Sequence, residues 1–233
     1  MHHGGSRRTP TRYQSRMPRY VGSPSTYPTS TGLPSTVGHR TSMHRCLYLD
    51  VKENLMRFMA TDLITMGHGT ASQAEFTRLL HGAGVNRLVD VRRYPGSRAY
   101  PHVSRDALTR WLPAARVDYR WEERLGGRRR LPAESADKWW RVDAFRAYAN
   151  HMRSAEFLEA ISSLLAELQT TTTAVMCSES LWWRCHRRLI ADFATLARGI
   201  AVIHLNHDGQ LTEHPVAAGA RLTPEGVLVY DLP

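Results

Sequence analysis

The chain has 233 residues, 42% of them hydrophobic, enough for one sizeable core. No apolar run approaches the ~18 residues of a membrane span, and the N-terminus lacks the apolar core of a secretory signal, so a soluble, cytoplasmic protein is expected. The formal charge of +10 suggests a nucleic-acid partner, but residues 1–49 hold seven arginines and no Asp, Glu or Lys, which leaves residues 50–233 with 24 basic against 21 acidic groups.

Residues 1–55 read as a disordered basic extension, rich in Ser, Thr, Pro, Gly and Arg and without apolar periodicity. Order is expected from the short apolar run "TDLITM" (61–66), which stops at Gly67. In "SQAEFTRLLHGAG", Ser72 is placed to cap a helix with Glu75 as its capping-box partner; Phe76, Leu79 and Leu80 share one face, and Gly82 or Gly84 ends it. "RLVDV" follows as a strand, so the two strands should be parallel with a right-handed crossover. After the loop "RRYPGSRAYPHV", a helix is expected from Ser104 through Trp111, a strand over 117–121, and a Gly/Arg loop "LGGRRRLP". Helices over about 143–152 and 155–168 come next, the second with Phe157, Ile161, Leu164, Leu165 and Leu168 on one stripe. The strand "TTAVMC", the helix "RRLIADFATLA" and the strand "IAVIHL" complete the alternation, with "GVLVYDL" as an edge strand or a tail. The pattern predicts an α/β, Rossmann-like three-layer domain over residues 56–233, its mainly parallel sheet covered by helices on both faces.

Ligands of such sheets bind beyond the carboxyl ends of the strands, where loops and helix N-termini converge. Those ends here carry Gly67-His68-Gly69-Thr70, Asp90-Val91-Arg92-Arg93 and Cys177-Ser178-Glu179. The blocks "TMGHGT", "DVRRYPGSR", "LGG", "FRAYANHM", "MCSE" and "WRCHRRLIA", in that order over residues 62 to 215, resemble the bacterial and archaeal family known as domain of unknown function 488. The resemblance implies a Rossmann-like fold with links to nucleotides or nucleic acid. Gly69 stands where that family usually has serine, and Trp182 where it usually has proline ahead of Cys-His-Arg.

Three chemistries compete for these residues. Zinc ligands usually come in pairs two to five residues apart; Cys177 and Cys185 are eight apart, and the adjacent Cys185 and His186 would point about 100° apart on a helix. No metal or other cofactor is expected. Cys46, Cys177 and Cys185 are odd in number and irregularly spaced, which argues against a disulfide framework. A thiol enzyme would use Cys177 at a strand end, with Arg184 before the next helix, although "SESLWW" is bulky and Glu179 would oppose a thiolate. A carboxylate site would use Glu179 and Asp90 to activate water or hold a cation, with His68 as proton donor or hydrogen-bonding group. Thr70, Arg92, Arg98, Arg184, Cys185, His186 and Arg187 would bind substrate, the arginines as planar donors for phosphate. Trp139, Trp140, Trp182, Trp183, Tyr94 and Tyr100 could stack bases or pack in the core, while His204 and His214 read as structural. The expected partner is a nucleotide or nucleic acid held in a strand-end cleft, with hydrolysis of an N-glycosidic or phosphate-bearing substrate as the reaction. The rivals are a sulfur- or phosphate-transfer enzyme using Cys177 and a non-catalytic nucleic-acid-binding module.

Overall fold

A computed structural model of the chain describes residues 62–232; the expected extension over 1–55 lies outside them. The ordered elements are β1 (Leu63–Gly67), α1 (Gln73–Gly82), β2 (Arg87–Asp90), α2 (Arg105–Ala114), β3 (Asp118–Trp121), α3 (Asp143–His151), α4 (Ala155–Glu167), β4 (Thr173–Cys177), α5 (Arg187–Arg198), β5 (Val202–Leu205), β6 (Leu211–Glu213), β7 (Ala220–Leu222) and β8 (Leu228–Tyr230). Single 3-10 turns at Pro101–Val103, Glu123–Leu125 and Trp182–Arg184 interrupt the loops. Six strands form one sheet in the order β3-β2-β4-β1-β5-β6. All neighbours are parallel except β6, which runs antiparallel to β5.

Both faces of the sheet are covered because the strands alternate which face each apolar side chain serves. Ile64 and Met66 of β1, Leu88 of β2, and Ala174 and Met176 of β4 pack with Phe76, Leu79 and Leu80 of α1 and Leu108 and Leu112 of α2. Their neighbours Leu63, Val89, Val175 and Cys177 face the other way, onto α3, α4 and α5. Phe76 and Phe157 are fully buried, one on each side, and each such ring contributes about 2 kcal/mol. The α1 start follows the expected capping box: Ser72 Oγ accepts from Glu75 N at 3.3 Å, and the Ser72 amide donates to Glu75 Oε2 at 2.8 Å.

This topology fixes where a ligand can enter. β1 and β2 hand the chain to helices on one face, whereas β4, which lies between them, hands it to α5 on the other. The loops leaving β4 and its neighbours therefore diverge and open a crevice above the carboxyl end of β4.

The C-terminal run extends neither edge of the sheet. Leu228–Tyr230 pairs antiparallel with Ala220–Leu222 in a separate two-stranded hairpin, docked by a hydrogen bond from the buried Tyr230 hydroxyl to Asp192 Oδ2 at 3.0 Å. The segment ahead of α3 is also anchored: Arg153 grips the fully buried Asp137 at 2.8 and 3.0 Å, and Trp140 packs against Phe145 and Tyr230. Among the described residues, no helix is long and apolar enough to cross a membrane.

Candidate functional site

The end of β2 supplies a locked guanidinium. Asp90 is 0% exposed and accepts from the Arg92 amide (3.0 Å), Arg92 Nε (2.8 Å), Arg92 Nη2 (2.6 Å) and the Tyr119 hydroxyl (2.9 Å). Arg92 Nη2 also donates to the Val103 carbonyl at 2.7 Å, and Nη1 to His68 Nε2 at 3.3 Å. His68 Nδ1 faces the Gly69 carbonyl at 3.0 Å, which can only accept. Nδ1 therefore carries the proton and Nε2 is free to accept from Arg92. Burial, and then the Arg92 charge, lower the His68 pKa to about 4, so the ring is neutral at pH 7. Four of the five Arg92 N–H groups are spent on this network, which leaves one to point elsewhere.

At the end of β4, the chain packs backbone against backbone with β1. A Cβ on Gly67 would meet the Glu179 carbonyl oxygen at 1.9 Å, so only glycine fits. Arg187, 1% exposed on the first turn of α5, donates Nη2 to that Glu179 carbonyl and Nε to Cys185 Sγ at 3.4 Å. Its Nη1 approaches Thr65 Oγ1 at 3.5 Å, where a directed chain begins. Thr65 hydrogen-bonds His204 Nδ1 (2.6 Å), His204 Nε2 meets His214 Nδ1 (3.0 Å), and His214 Nε2 meets Asp192 Oδ1 (2.8 Å). The indole of Trp182 stacks on His204 with ring centroids 4.1 Å apart.

The thiols meet beside this chain. Helical geometry would separate Cys185 from His186 by about 100°, but Cys185 is extended (φ −118°, ψ 150°) after its 3-10 turn, and only His186 is helical. The two side chains can then both turn toward Cys177. His186 Nδ1 lies 3.6 Å from Cys185 Sγ and 3.9 Å from Cys177 Sγ, and the three atoms lie within 4.8 Å of one another. His186 Nε2 donates to the Val91 carbonyl at 3.1 Å, which leaves the Nδ1 lone pair facing both sulfurs. Burial opposes charge on Cys185, but the Cys177 thiol, the Arg187 guanidinium and the Arg187 amide outweigh it and bring its pKa down to about 6. Cys177 is pushed up to about 12, first by its hydrogen bond with Cys185 and then by burial. Of the pair, Cys185 is the thiol whose ionisation its surroundings favour.

The opposite wall is the "LGG" loop. A Cβ on Gly126 would lie 2.9 Å from the Arg93 backbone, and one on Gly127 would lie 3.0 Å from His186 Nδ1. From α3, Tyr148 donates to the Leu125 carbonyl and His151 to the Arg124 carbonyl, both at 2.7 Å, and these bonds clamp the loop in place. The result is a cavity of about 480 Å³ above β4.

Of the residues singled out from the sequence, His68, Arg92, Cys177, Glu179, Arg184, Cys185 and His186 line this cavity. Asp90 and Arg187 sit behind the lining, the first neutralised by Arg92 and the second bracing the β4 loop. Thr70 and Arg98 are exposed and outside it. Trp140 is in the core, and Trp139 is pressed against Gly219, so neither offers a face to the cleft; Tyr94, 66% exposed, and Tyr100 do. Arg128, Phe145 and Tyr148 also contribute to the lining, and their signal was present in the "LGG" and "FRAYANHM" blocks, which carry the wall and its clamp.

A family model described as domain of unknown function DUF488 matches residues 72–194, from α1 into α5. The match takes in Asp90, Arg92, Cys177, Glu179, Cys185, His186 and Arg187 and stops short of His68 and His204. No curated protein and no solved structure gives a significant match. With more than half its length covered, including both thiols of the cavity and the histidine between them, the chain belongs to the DUF488 family.

Proposed function

We propose that the strand-end cavity holds the phosphate-bearing part of a nucleotide, free or within a nucleic-acid strand, in a cytosolic protein that hydrolyses it. One observation carries the binding claim: Arg93, Arg128 and Arg184 line the cavity, none has a carboxylate partner among the described residues, and the lining holds a single acid, Glu179. Guanidiniums gathered without counter-charge are favourable only where an anion joins them. Arg92 adds its remaining N–H from a rigid mount. Tyr94, Tyr100 and Phe145 supply ring faces for a base, and about 480 Å³ suits a mononucleotide unit.

Among the described residues, Glu179 is the one carboxylate that reaches the ligand space, and it is half-buried, with Oε1 accepting from the Leu181 amide at 3.2 Å. It therefore takes the role of activating water, and Asp90 the role of positioning Arg92. Titration calorimetry with nucleoside mono- and diphosphates and short oligonucleotides tests the binding. Arg93→Ala/Arg184→Ala should weaken it at least about tenfold, with a steep salt dependence in the parent. Equal affinity in the parent and the double variant, or no binding even at low salt, would overturn the proposal.

A further inference from the structure

We infer that Cys177, Cys185 and His186 form a binding site for a thiophilic divalent cation of the zinc class, with its fourth coordination position open to the cavity. Zinc binds sulfur at about 2.3 Å and imidazole nitrogen at about 2.0 Å, so a tetrahedral site separates S and N ligands by about 3.6 Å. The two S···N distances here are 3.6 and 3.9 Å. Both sulfurs thus stand at nearly the separation from Nδ1 that a bound ion needs, and all three donor atoms lie within 4.8 Å of one another.

Their surroundings are also those of a metal site. Metal-bound histidine is oriented by the hydrogen bond that its other ring nitrogen makes. His186 Nε2 donates to the Val91 carbonyl, which presents Nδ1 to the sulfurs as a lone pair. Arg187 Nε donates to Cys185 Sγ at 3.4 Å, as outer hydrogen bonds to metal thiolates do. Gly127 places no side chain against Nδ1, where a Cβ would come within 3.0 Å. All three ligand residues line the cavity, so three sides of the ion would be protein and the fourth would be ligand space.

A set of three protein ligands with one open position belongs to catalytic zinc rather than structural zinc, and two cysteines with one histidine beside a glutamate that is not a ligand is a set that activates water for hydrolysis at a nucleobase. Glu179 lines the same cavity two residues beyond Cys177. The metal site stands on the donor geometry alone; its use in hydrolysis rests on the cleft reading given above.

The test uses the full chain with Cys46→Ala, so that only the two cavity thiols report. Cobalt(II) added to the chelator-treated protein should give one equivalent of a tetrahedral spectrum with sulfur-to-metal charge-transfer bands. Zinc should displace it and slow alkylation of both thiols at least about tenfold. Cys185→Ser and His186→Gln should each lose most of the cobalt signal, with circular dichroism confirming the fold. A folded protein with no charge-transfer band, and with thiols that alkylate equally fast with and without zinc, would overturn the site and leave a bare thiol pair. Arg93→Ala/Arg184→Ala should bind cobalt like the parent. If it does so while the parent binds no nucleotide, the metal site stands and the cleft reading falls.

Discussion

Replacing Asp90 by asparagine separates a structural from a catalytic role for this carboxylate. Asp90 is wholly buried, and its two oxygens accept from three Arg92 donors and from Tyr119. An amide offers one oxygen and an NH2 group, so at least one of these contacts becomes donor against donor, and the buried guanidinium loses its only carboxylate among the described residues. Breaking one side of a buried ion pair costs about 3–5 kcal/mol. Tyr119→Phe removes one hydroxyl donor from a carboxylate that keeps the other three and should cost about 1.5 kcal/mol. Burial and the Asp90 charge both raise the Tyr119 pKa, so the hydroxyl stays a donor throughout the neutral range. Urea unfolding at pH 7 measures both changes, and the double variant Asp90→Asn/Arg92→Met should lose less than the sum of its single changes because it removes the orphaned charge as well. An Asp90→Asn protein that unfolds at the parent's midpoint would refute this reasoning and return Asp90 to the candidates for acid–base chemistry.

Two further outcomes follow from contacts of the same kind. Gly67→Ala puts a Cβ 1.9 Å from the Glu179 carbonyl oxygen and should destabilise the protein by about 3 kcal/mol, whereas Gly82→Ala, in open space at the end of α1, should stabilise it by about 0.5 kcal/mol; thermal unfolding of the pair checks both signs. Burial lowers the pKa of His204 to about 3, and that of His68 to about 4, so between pH 6.5 and those values the unfolded chain binds protons that the folded chain refuses. Stability should therefore fall with acidification, by about 1.5 kcal/mol per histidine between pH 6.5 and pH 5, and a urea midpoint that stays constant over that range would contradict the neutral assignments.

The sequence made the architecture legible where local chemistry and global packing agree. Ser72 and Glu75 marked the start of α1, the apolar stripe from Phe157 to Leu165 marked α4, and the alternation of elements implied a parallel sheet with polar residues gathered at its carboxyl edge. The hairpin of β7 and β8 was hidden because three-residue strands carry too few residues for a period of two to register. The sequence left Asp90 open between an acid of the cleft and a partner for Arg92, two residues along the same strand exit, because only the bend after β2 folds the guanidinium back onto it. The thiol cluster was hidden for a similar reason. Spacing rules for metal ligands assume regular secondary structure, and Cys185 leaves it after the 3-10 turn at Trp182–Arg184.

Arg187 shows why these parts form one unit. Its guanidinium is buried and has no carboxylate partner among the described residues, a state that costs several kcal/mol unless charge or dipoles answer it. Three groups do so: the Glu179 carbonyl, the Cys185 sulfur, and the chain of aligned donors through Thr65, His204 and His214 to the carboxylate of Asp192. Each is held by a different part of the fold, namely the β4 loop, the entry to α5, and the β1–β5 face with the Asp192 side chain of α5. A cation at the centre of such an arrangement favours negative charge on Cys185 and fixes the carbonyl of Glu179 in the same step. One buried side chain, which itself touches no ligand space, therefore both joins the Cys177 thiol in favouring ionisation of Cys185 and holds the backbone of the acid that reaches the cavity.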